Sequence, residues 1–415
     1  MSNSQSKYGA DLSNSQGVVV GEHNKIYQYF QTPENTGIAS KHIGFQPLIA
    51  DKTNNFVGRE FVFEALDMFL QENASGYYLI LGEPGIGKTA VLSQLIKTRG
   101  YPHHFNIAPQ NIRTPHQFLT NACAQLIARY DLKHKFIPED ATEDSNFLLQ
   151  CLEEATANPE NHPVVLVVDA LDESERDNLP VRVNALYLPP TLPDGAYIVV
   201  TSRPLDDQKL EVSNLHRLFL EPDSDGNLLD IRAYIESYLH TSESLQAEIK
   251  DQDISEAIFT ENLTKYSEGN FIYLRYVLPA IADGKFKFNL EESQNGKFEK
   301  LPLGLAAYYR GHWNGMQIAE PEAFDDLYAP IVCMLAVVRE PVTIDQLHNW
   351  TGKERKYIRR AIAQWREFLE ESQAETDEKY RVYHTSFQDF LGKMVDLKSF
   401  DEIIARYYLG SLGME

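Results

Sequence analysis

The stretch that constrains this chain most is a glycine-rich loop at residues 82–89. It consists of Gly82, Glu83, Pro84, Gly85, Ile86, Gly87, Lys88 and Thr89, which fits the pattern G-x-x-x-x-G-K-[ST] of a phosphate-binding loop. The short apolar and aromatic run before it, residues 77–81, predicts a buried strand. Residues 90–96 follow with helical spacing. The loop therefore joins a strand to a helix, as the chemistry of this pattern requires.

The residue types of the loop explain how it would bind phosphate. Glycines let successive backbone N–H groups turn inward around an anion, and the next helix adds the positive end of its dipole. We expect Lys88 to neutralise β- and γ-phosphate charge and Thr89 to offer its hydroxyl to Mg²⁺. Ala90, directly after the pattern, joins the predicted nucleotide-binding residues.

A second decisive stretch ends in carboxylates. Residues 163–168 form a continuous apolar run, typical of a central parallel strand, and Asp169 follows with Asp172 and Glu173 just beyond. Ligands of open α/β sheets lie at the carboxyl ends of strands, so Asp169 is predicted to bind Mg²⁺ together with Thr89. Asp172 and Glu173 are predicted to orient or activate the attacking water, with Lys88 as a third catalytic residue. The alternative, an acidic cap after a strand, is disfavoured by the glycine-rich loop.

A further buried strand, at residues 196–202, ends next to Arg203. An arginine at that place could read the γ-phosphate, because its planar charged donors suit phosphate oxygens, although a lone arginine is more often a surface residue. Residues 216–220 predict a fifth strand. Strands and helices alternate over residues 55–222, so we predict an α/β domain with a five-stranded parallel sheet.

Beyond residue 222 the strand pattern stops and helical spacing continues to residue 316. Residues 341–395 then predict a helix, a turn, a second helix and a β wing, which is the pattern of a winged helix. The second helix is locally basic, residues 370–379 are charged, and the strand-like residues 380–384 follow them. We therefore divide the chain into an N-terminal tail (1–50), a nucleotide-binding α/β domain (51–222), a helical lid domain (223–316) and a winged-helix domain (317–415).

The N-terminal tail contains a short β-prone segment at residues 17–30. A small hairpin of this size is not stable alone, so it is either a strand that docks on the main body or a segment that stacks between chains. Residues 31–54 are polar with Pro and Gly, and we interpret them as a linker.

Composition limits the classes of partner and location. The net charge of the 415-residue chain is −22, which disfavours binding driven by charge to nucleic acid or to anionic membranes. The three cysteines, Cys123, Cys151 and Cys333, are far apart in sequence and suit a reducing compartment. No signal peptide or membrane-spanning run is present in the sequence. We expect a cytoplasmic protein.

Together these motifs resemble the STAND class of signalling NTPases, in particular its NACHT branch with the NLR-like proteins, over residues 54–395. Residues 56–60 resemble the adenine-side motif, residues 169–173 the acidic strand end, and residues 201–204 the sensor segment. Residues 269–273 and 301–305 resemble two landmarks of the helical domain, where many relatives have a proline at the position of Phe271. Residues 384–391 resemble the winged-helix motif whose histidine touches the β-phosphate of ADP. The resemblance implies further nucleotide contacts from Phe56, Val57, Arg59, Arg203, Pro302 and His384.

The function implied by this resemblance is an ATP/ADP-controlled switch with slow ATP hydrolysis, a regulatory P-loop ATPase that uses Mg²⁺. The winged helix would close over ADP, and exchange for ATP would release it and allow the chain to oligomerise. Bacterial immune-like (antiphage) or stress signalling is the implied role. Expected partners are further copies of the chain and a separate sensor or effector protein, because no repeat array of the usual kind is found. The alternatives are a winged-helix DNA-binding transcription regulator controlled by ATP and a constitutively active motor ATPase.

Overall fold

The structure is a computed structural model that describes residues 41–175, 183–204, 210–286, 301–374 and 377–411. The β segment predicted at residues 17–30 lies outside the described residues. In the described ranges, no helix is both long enough and apolar enough to cross a membrane.

A parallel five-stranded sheet forms the first unit, as predicted. Its strands, in the spatial order β2-β3-β4-β1-β5, are β1 (Gly76–Gly82), β2 (His103–Phe105), β3 (Val164–Asp169), β4 (Ala196–Ser202) and β5 (Leu215–Leu220). Five helices belong to the same unit: α1 (Gln46–Thr53), α2 (Glu60–Glu72), α3 (Lys88–Arg99), α4 (Pro115–Arg129) and α5 (Asn146–Thr156). Because β4 lies between β1 and β3, the glycine-rich loop, Arg203 and the acidic strand end meet at one edge of the sheet.

Both faces of the sheet are covered at its central strands, which explains why β1, β3 and β4 are mostly apolar and fully buried, whereas the edge strand β5 is largely exposed. Alternate residues of β1 point to opposite faces: Tyr77, Leu79 and Leu81 pack in the layer of α4 and α5. Tyr78 and Ile80 pack in the layer of α1, α2 and α3.

The rest of the chain is mainly helical. The helical unit (residues 225–319) contains α6 (Asp225–Thr241), α7 (Glu243–Asp251), α8 (Glu256–Tyr266), α9 (Phe271–Ala282) and α10 (Gly304–Ala319). The C-terminal unit (residues 321–411) begins with a helical turn at Pro321–Ala323 and a π-helical turn at Phe324–Tyr328. It continues with α11 (Ala329–Val337), β6 (Val342–Thr343), α12 (Ile344–Thr351), α13 (Arg355–Trp365), β7 (Leu369–Ala374), β8 (Asp377–Val382), α14 (Thr385–Met394) and α15 (Lys398–Ser411). Its three strands are antiparallel in the order β6-β8-β7.

One prediction from local sequence was wrong, and one pair of strands was only partly predicted. Residues 46–53, predicted as linker, form α1, which packs against α3; its apolar residues are consecutive, at positions 47–50, so helical periodicity gave no signal. Residues 370–379, for which only the charge was noted, belong mostly to β7 and β8. Their ladder is supported by cross-strand charge pairing such as Glu370 with Arg381, and Tyr380 and Val382 of β8 pack in the apolar core.

The helical and C-terminal units share one apolar core rich in aromatic rings. Tyr309 of α10 lies with its ring centroid 5.3 Å from that of Phe368 and 4.9 Å from that of Phe387. Trp313, one turn further along α10, contacts Phe324 at 4.8 Å. The C-terminal unit is therefore attached to the helical unit by a continuous apolar interface.

We expect Phe368→Ala to lower the free energy of unfolding by about 3–5 kcal/mol, because Phe368 is 0% exposed at the centre of this core. Urea denaturation followed by intrinsic fluorescence measures the change. Phe136→Ala is the matched control, since Phe136 is 71% exposed, and its effect should stay within about 0.5 kcal/mol. Equal losses in the two variants would contradict the assignment of the core.

Candidate nucleotide-binding site

The glycine-rich loop leaves β1 and enters α3 through backbone conformations that favour glycine. Gly85 has φ +88° and Gly87, the residue before α3, has φ +98°. A Cβ added at Gly85 would lie 2.6 Å from the amide oxygen of Asn270, so no side chain fits there. The two inner glycines of the loop, Gly85 and Gly87, are therefore favoured by conformation, and Gly85 also by the close approach of the Asn270 side chain.

Three successive loop carbonyls accept hydrogen bonds from groups outside the loop. Pro84 O accepts from Asn270 Nδ2 at 3.0 Å, Gly85 O from the Phe271 N–H at 3.0 Å and Ile86 O from Arg59 Nη2 at 2.6 Å. In a trans peptide the carbonyl and the following N–H point in opposite directions. Holding the carbonyls of Pro84 and Ile86 outward therefore directs the N–H groups of Gly85 and Gly87 toward the inside of the loop, where an anion would bind, whereas the Ile86 N–H donates to Glu83 O at 3.3 Å.

Lys88 lies within the loop. Its Nζ donates to Gly82 O at 2.6 Å and to Glu83 O at 3.2 Å. Burial lowers the pKa of Lys88, while the nearby carboxylates of Asp172 and Asp169 act in the opposite direction. The amine is thus positioned between the loop and the acidic strand end, where phosphate oxygens could replace the two carbonyls.

Thr89 and Asp169, the predicted metal ligands, are in contact. Thr89 Oγ1 donates to Asp169 Oδ2 at 2.8 Å, and Thr201 Oγ1 donates to the other carboxylate oxygen at 2.6 Å. Asp169 is 3% exposed, and burial raises its pKa although both hydroxyl hydrogen bonds oppose that shift. In the described part of the chain, no group of three or more His, Cys, Asp or Glu could hold a metal ion. Two hard oxygens completed by phosphate and water are, however, the kind of site that Mg²⁺ uses.

Asp172 and Glu173 occupy a short 3-10 turn directly after β3. Asp172 Oδ2 pairs with Arg203 Nε at 3.0 Å, whereas its Oδ1 is buried with no hydrogen-bond partner among the described residues. Glu173 Oε2 accepts from the Ala108 N–H at 3.0 Å, and burial raises the pKa of Glu173 to about 7. An unpartnered acceptor and a carboxyl group with a pKa near neutrality suit the predicted roles of orienting and activating a water.

Arg203 connects two units of the protein. Its Nε pairs with Asp172 and its Nη1 donates to Asp389 Oδ2 on α14 at 2.8 Å. Burial opposes the charge of Arg203, but the carboxylates of Asp389 and Asp172 outweigh it and raise its pKa. The predicted phosphate-reading arginine is therefore shared between the acidic strand end and the C-terminal unit.

His384 caps α14, with its Nδ1 accepting the Ser386 N–H at 3.1 Å. Burial lowers the pKa of His384 to about 3, and the positive charges of Lys52, Lys88, Arg203 and Arg275 act in the same direction. The imidazole is therefore neutral, and because Nδ1 accepts, the proton is on Nε2. The predicted histidine is therefore within electrostatic reach of Lys88 in the glycine-rich loop and of Arg203.

Of the remaining predicted nucleotide contacts, only Arg59 forms a hydrogen bond to the glycine-rich loop among the described residues. Arg59 is buried, donates to Ile86 O and to Asn227 Oδ1 at 2.8 Å, and leaves Nη1 without a hydrogen-bond partner in the described ranges. Burial lowers the pKa of Arg59 to about 10, although the charge of Asp230 acts in the opposite direction.

Phe56 and Val57 are half-buried just before α2. Pro302 lines a cavity of about 870 Å³ that no residue of the glycine-rich loop lines. Nucleotide contacts from Arg59, Phe56, Val57 and Pro302 stay predictions.

Sequence reasoning missed several residues that the fold brings to the site. Thr201, Asn270 and Asp389 lie inside stretches that the motifs singled out, so their polar side chains were a usable signal. Lys52 on α1 and Arg275 on α9 both approach the ring of Tyr383, next to His384, at 4.7 and 4.3 Å. Nothing local in the sequence marks those two cations.

Comparison with known proteins identifies the domain that carries this geometry. Residues 55–200 match the AAA ATPase domain family. Residues 55–200 are therefore the part of the chain that resembles AAA-type ATPase domains, and we refer to them below as the ATPase domain. The match implies nucleotide binding, which in this family typically involves Mg²⁺, and it covers the glycine-rich loop and the acidic strand end. No curated protein matches the chain. Among solved structures, a mutant of RuvB from Thermotoga maritima is similar at 13% identity, covering 80% of this chain and 95% of that one, with a TM-score of 0.27.

Glu173 gives the ATPase domain a defined pH response. Its pKa of about 7 lies above the ordinary 4.5, so the folded protein binds this proton more readily than the unfolded chain. The contribution to stability is present below about pH 4.5 and is lost as the pH rises through 7. Glu173→Gln should remove this loss, so its thermal midpoint should fall less than that of the wild type between those values. The exposed Glu72→Gln is the control, and parallel midpoint curves for wild type and Glu173→Gln would contradict the assignment.

Proposed function

We propose that this protein is a nucleotide-controlled signalling switch of the STAND class and NACHT branch. In this proposal ADP keeps the C-terminal unit, a winged helix, closed on the ATPase domain, and exchange for ATP releases it for self-association. ATP hydrolysis is slow and resets the switch. The role is bacterial immune-like or stress signalling in the cytoplasm, with a separate sensor or effector protein. The observation that supports the proposal most is the position of Arg203 between Asp172 and Asp389.

The bridge through Arg203 suggests how a third phosphate could be detected. A γ-phosphate beside Lys88 and Thr89 would offer oxygens that compete with Asp389 for the guanidinium. Hydrogen bonds to charged groups contribute about 1.5–3 kcal/mol each. Two or three new contacts to one phosphate would reach the roughly 5.5 kcal/mol that moves a two-state equilibrium from 1:99 to 99:1. The available interactions are thus of the right size for a switch.

His384 supports a lock by ADP. A neutral imidazole with its proton on Nε2 can donate to a β-phosphate oxygen. The four cations near it, Lys52, Lys88, Arg203 and Arg275, create a positive potential that attracts phosphate. Because Lys52 and Arg275 come from α1 and α9, the same phosphate would hold several elements together.

The alternative of a DNA-binding regulator receives no support from the basic helix of the C-terminal unit. Lys353 pairs with Asp326 at 2.6 Å and Arg355 with Asp345 at 2.5 Å. Lys356 pairs with Glu354 at 2.9 Å, and Arg360 pairs with Glu320. Carboxylates that neutralise these side chains remove much of the charge that binding to a phosphate backbone requires.

Lys88→Ala should abolish nucleotide binding, because it removes the only side-chain cation within the described glycine-rich loop. We expect nucleotide to copurify with the wild type and not with the variant, and titration with a fluorescent ADP analogue to show no saturation. Lys265→Ala, which changes an exposed lysine of α8, is the control and should bind normally. Wild-type affinity in Lys88→Ala would refute the assigned role of the loop.

Asp389→Ala should loosen the closed state by removing one partner of Arg203. The pair is partly exposed, at 28% and 43%, so we expect an effect of only about 0.5–1 kcal/mol. That corresponds to a roughly 2- to 5-fold faster release of bound ADP and to more assembly at limiting ATP. Stopped-flow displacement and light scattering measure the two effects. Asp401→Ala, an exposed change on α15, serves as control, and unchanged release and assembly in Asp389→Ala would count against the bridge as a lock.

A further inference from the structure

We propose that the start of α9 is a positioning element of the nucleotide site. Asn270 and the backbone N–H of Phe271 hold the glycine-rich loop in the conformation that receives phosphate. This inference rests on the proposed function only in taking a nucleotide as the ligand of the loop.

Two hydrogen bonds connect α9 to the loop across 186 positions of sequence. Asn270 Nδ2 donates to Pro84 O at 3.0 Å, and the Phe271 N–H donates to Gly85 O at the same distance. Asn270 also caps α9, because its Oδ1 accepts the N–H groups of Ile272 at 2.9 Å and Tyr273 at 3.2 Å. The amide therefore uses its acceptor for the helix and its donor for the loop.

The two bonds matter because the loop is glycine-rich. A glycine with positive φ has many accessible conformations, so its peptide groups can rotate easily in an unattached loop. With the carbonyl of Pro84 held outward by Asn270, the N–H of Gly85 points the opposite way. With the carbonyl of Gly85 held by the Phe271 N–H, the N–H of Ile86 is oriented to close the turn with Glu83 O at 3.3 Å. Ordering these groups before the ligand arrives lowers the entropic cost of binding.

Phe271 contributes through its backbone as well as its ring. The ring lies 4.9 Å from the guanidinium carbon of Arg59 and 5.6 Å, edge to face, from the ring of Tyr234. A proline at this position has no N–H and so could not donate to Gly85 O. Because Phe271 is the first residue of α9, where proline is well tolerated, the N–H can be removed without breaking the helix.

The experiment compares variants that separate the loop contacts from the folding of α9. Asn270→Asp keeps a good helix cap but loses the donor to Pro84 O. Phe271→Pro loses the N–H and the ring, whereas Phe271→Ala loses only the ring. We measure the Kd for a fluorescent ADP analogue, and we measure amide hydrogen exchange over residues 83–88 in the nucleotide-free full chain.

We expect Asn270→Asp to weaken ADP binding by about 3- to 10-fold, and Phe271→Pro to bind more weakly than Phe271→Ala by a similar factor. Exchange over the loop should accelerate in Asn270→Asp and Phe271→Pro relative to Phe271→Ala. A purely structural role would lower the thermal midpoint without changing this order of affinities.

Wild-type affinity and loop exchange in Asn270→Asp would overturn the inference, and so would equal affinities of Phe271→Pro and Phe271→Ala. Circular dichroism checks that α9 is intact, and Asn270→Asp keeps the test decisive if Phe271→Pro does not fold. Lys88→Ala distinguishes a failure of this inference from a failure of the proposed function. Loss of binding in Lys88→Ala with normal binding in Asn270→Asp would remove only the role of α9, whereas normal binding in Lys88→Ala would remove the proposed function itself.

Discussion

The orientation of a few peptide groups in the glycine-rich loop is the constraint on which the nucleotide site depends. Backbone N–H groups can face a phosphate only if the carbonyls beside them find partners elsewhere. Here those partners are Arg59, Asn270 and Phe271. Arg59 is itself held by Asn227 and Asp230 of the helical unit. The sheet and α3 supply the loop, but residues of the helical unit help to set its conformation.

The charges at the edge of the sheet satisfy one another within the protein. Lys88 donates to loop carbonyls, and Arg203 pairs with two carboxylates from different units. Asp169 is buried beneath the hydroxyls of Thr89 and Thr201. A phosphate that enters this site must compete with carbonyl and carboxylate oxygens for the donors Lys88 and Arg203. The number of phosphates would therefore decide which of these contacts within the protein are kept. Through this competition a switch could distinguish ATP from ADP.

The helix α9 couples that site to the C-terminal unit. Its first turn contacts the glycine-rich loop, and Tyr276 further along packs against Phe368 with ring centroids 5.3 Å apart. A second connection runs over the surface, where Lys52 of α1 donates to the hydroxyl of Tyr383 at 2.8 Å. The C-terminal unit therefore contacts the unit that contains the parallel sheet through polar groups and the helical unit through an apolar core. Polar contacts are the ones that a charged ligand can exchange.

Local patterns in the sequence were sufficient for the parallel sheet, the glycine-rich loop and the acidic strand end, because buried strands are continuous apolar runs and a phosphate-binding turn demands glycine. They were insufficient for α1, whose apolar residues are consecutive and not helically spaced, and for β7 and the start of β8, which consist mostly of charged and polar residues. Only the tertiary structure decided that Asp389 would meet Arg203 and that Asn270 would meet Pro84, each pair 186 positions apart. Such contacts arise from the packing of whole helices, so the residues next to them in the sequence do not predict them. The sequence by itself determined which groups can bind phosphate, and the fold decided which groups hold them in place.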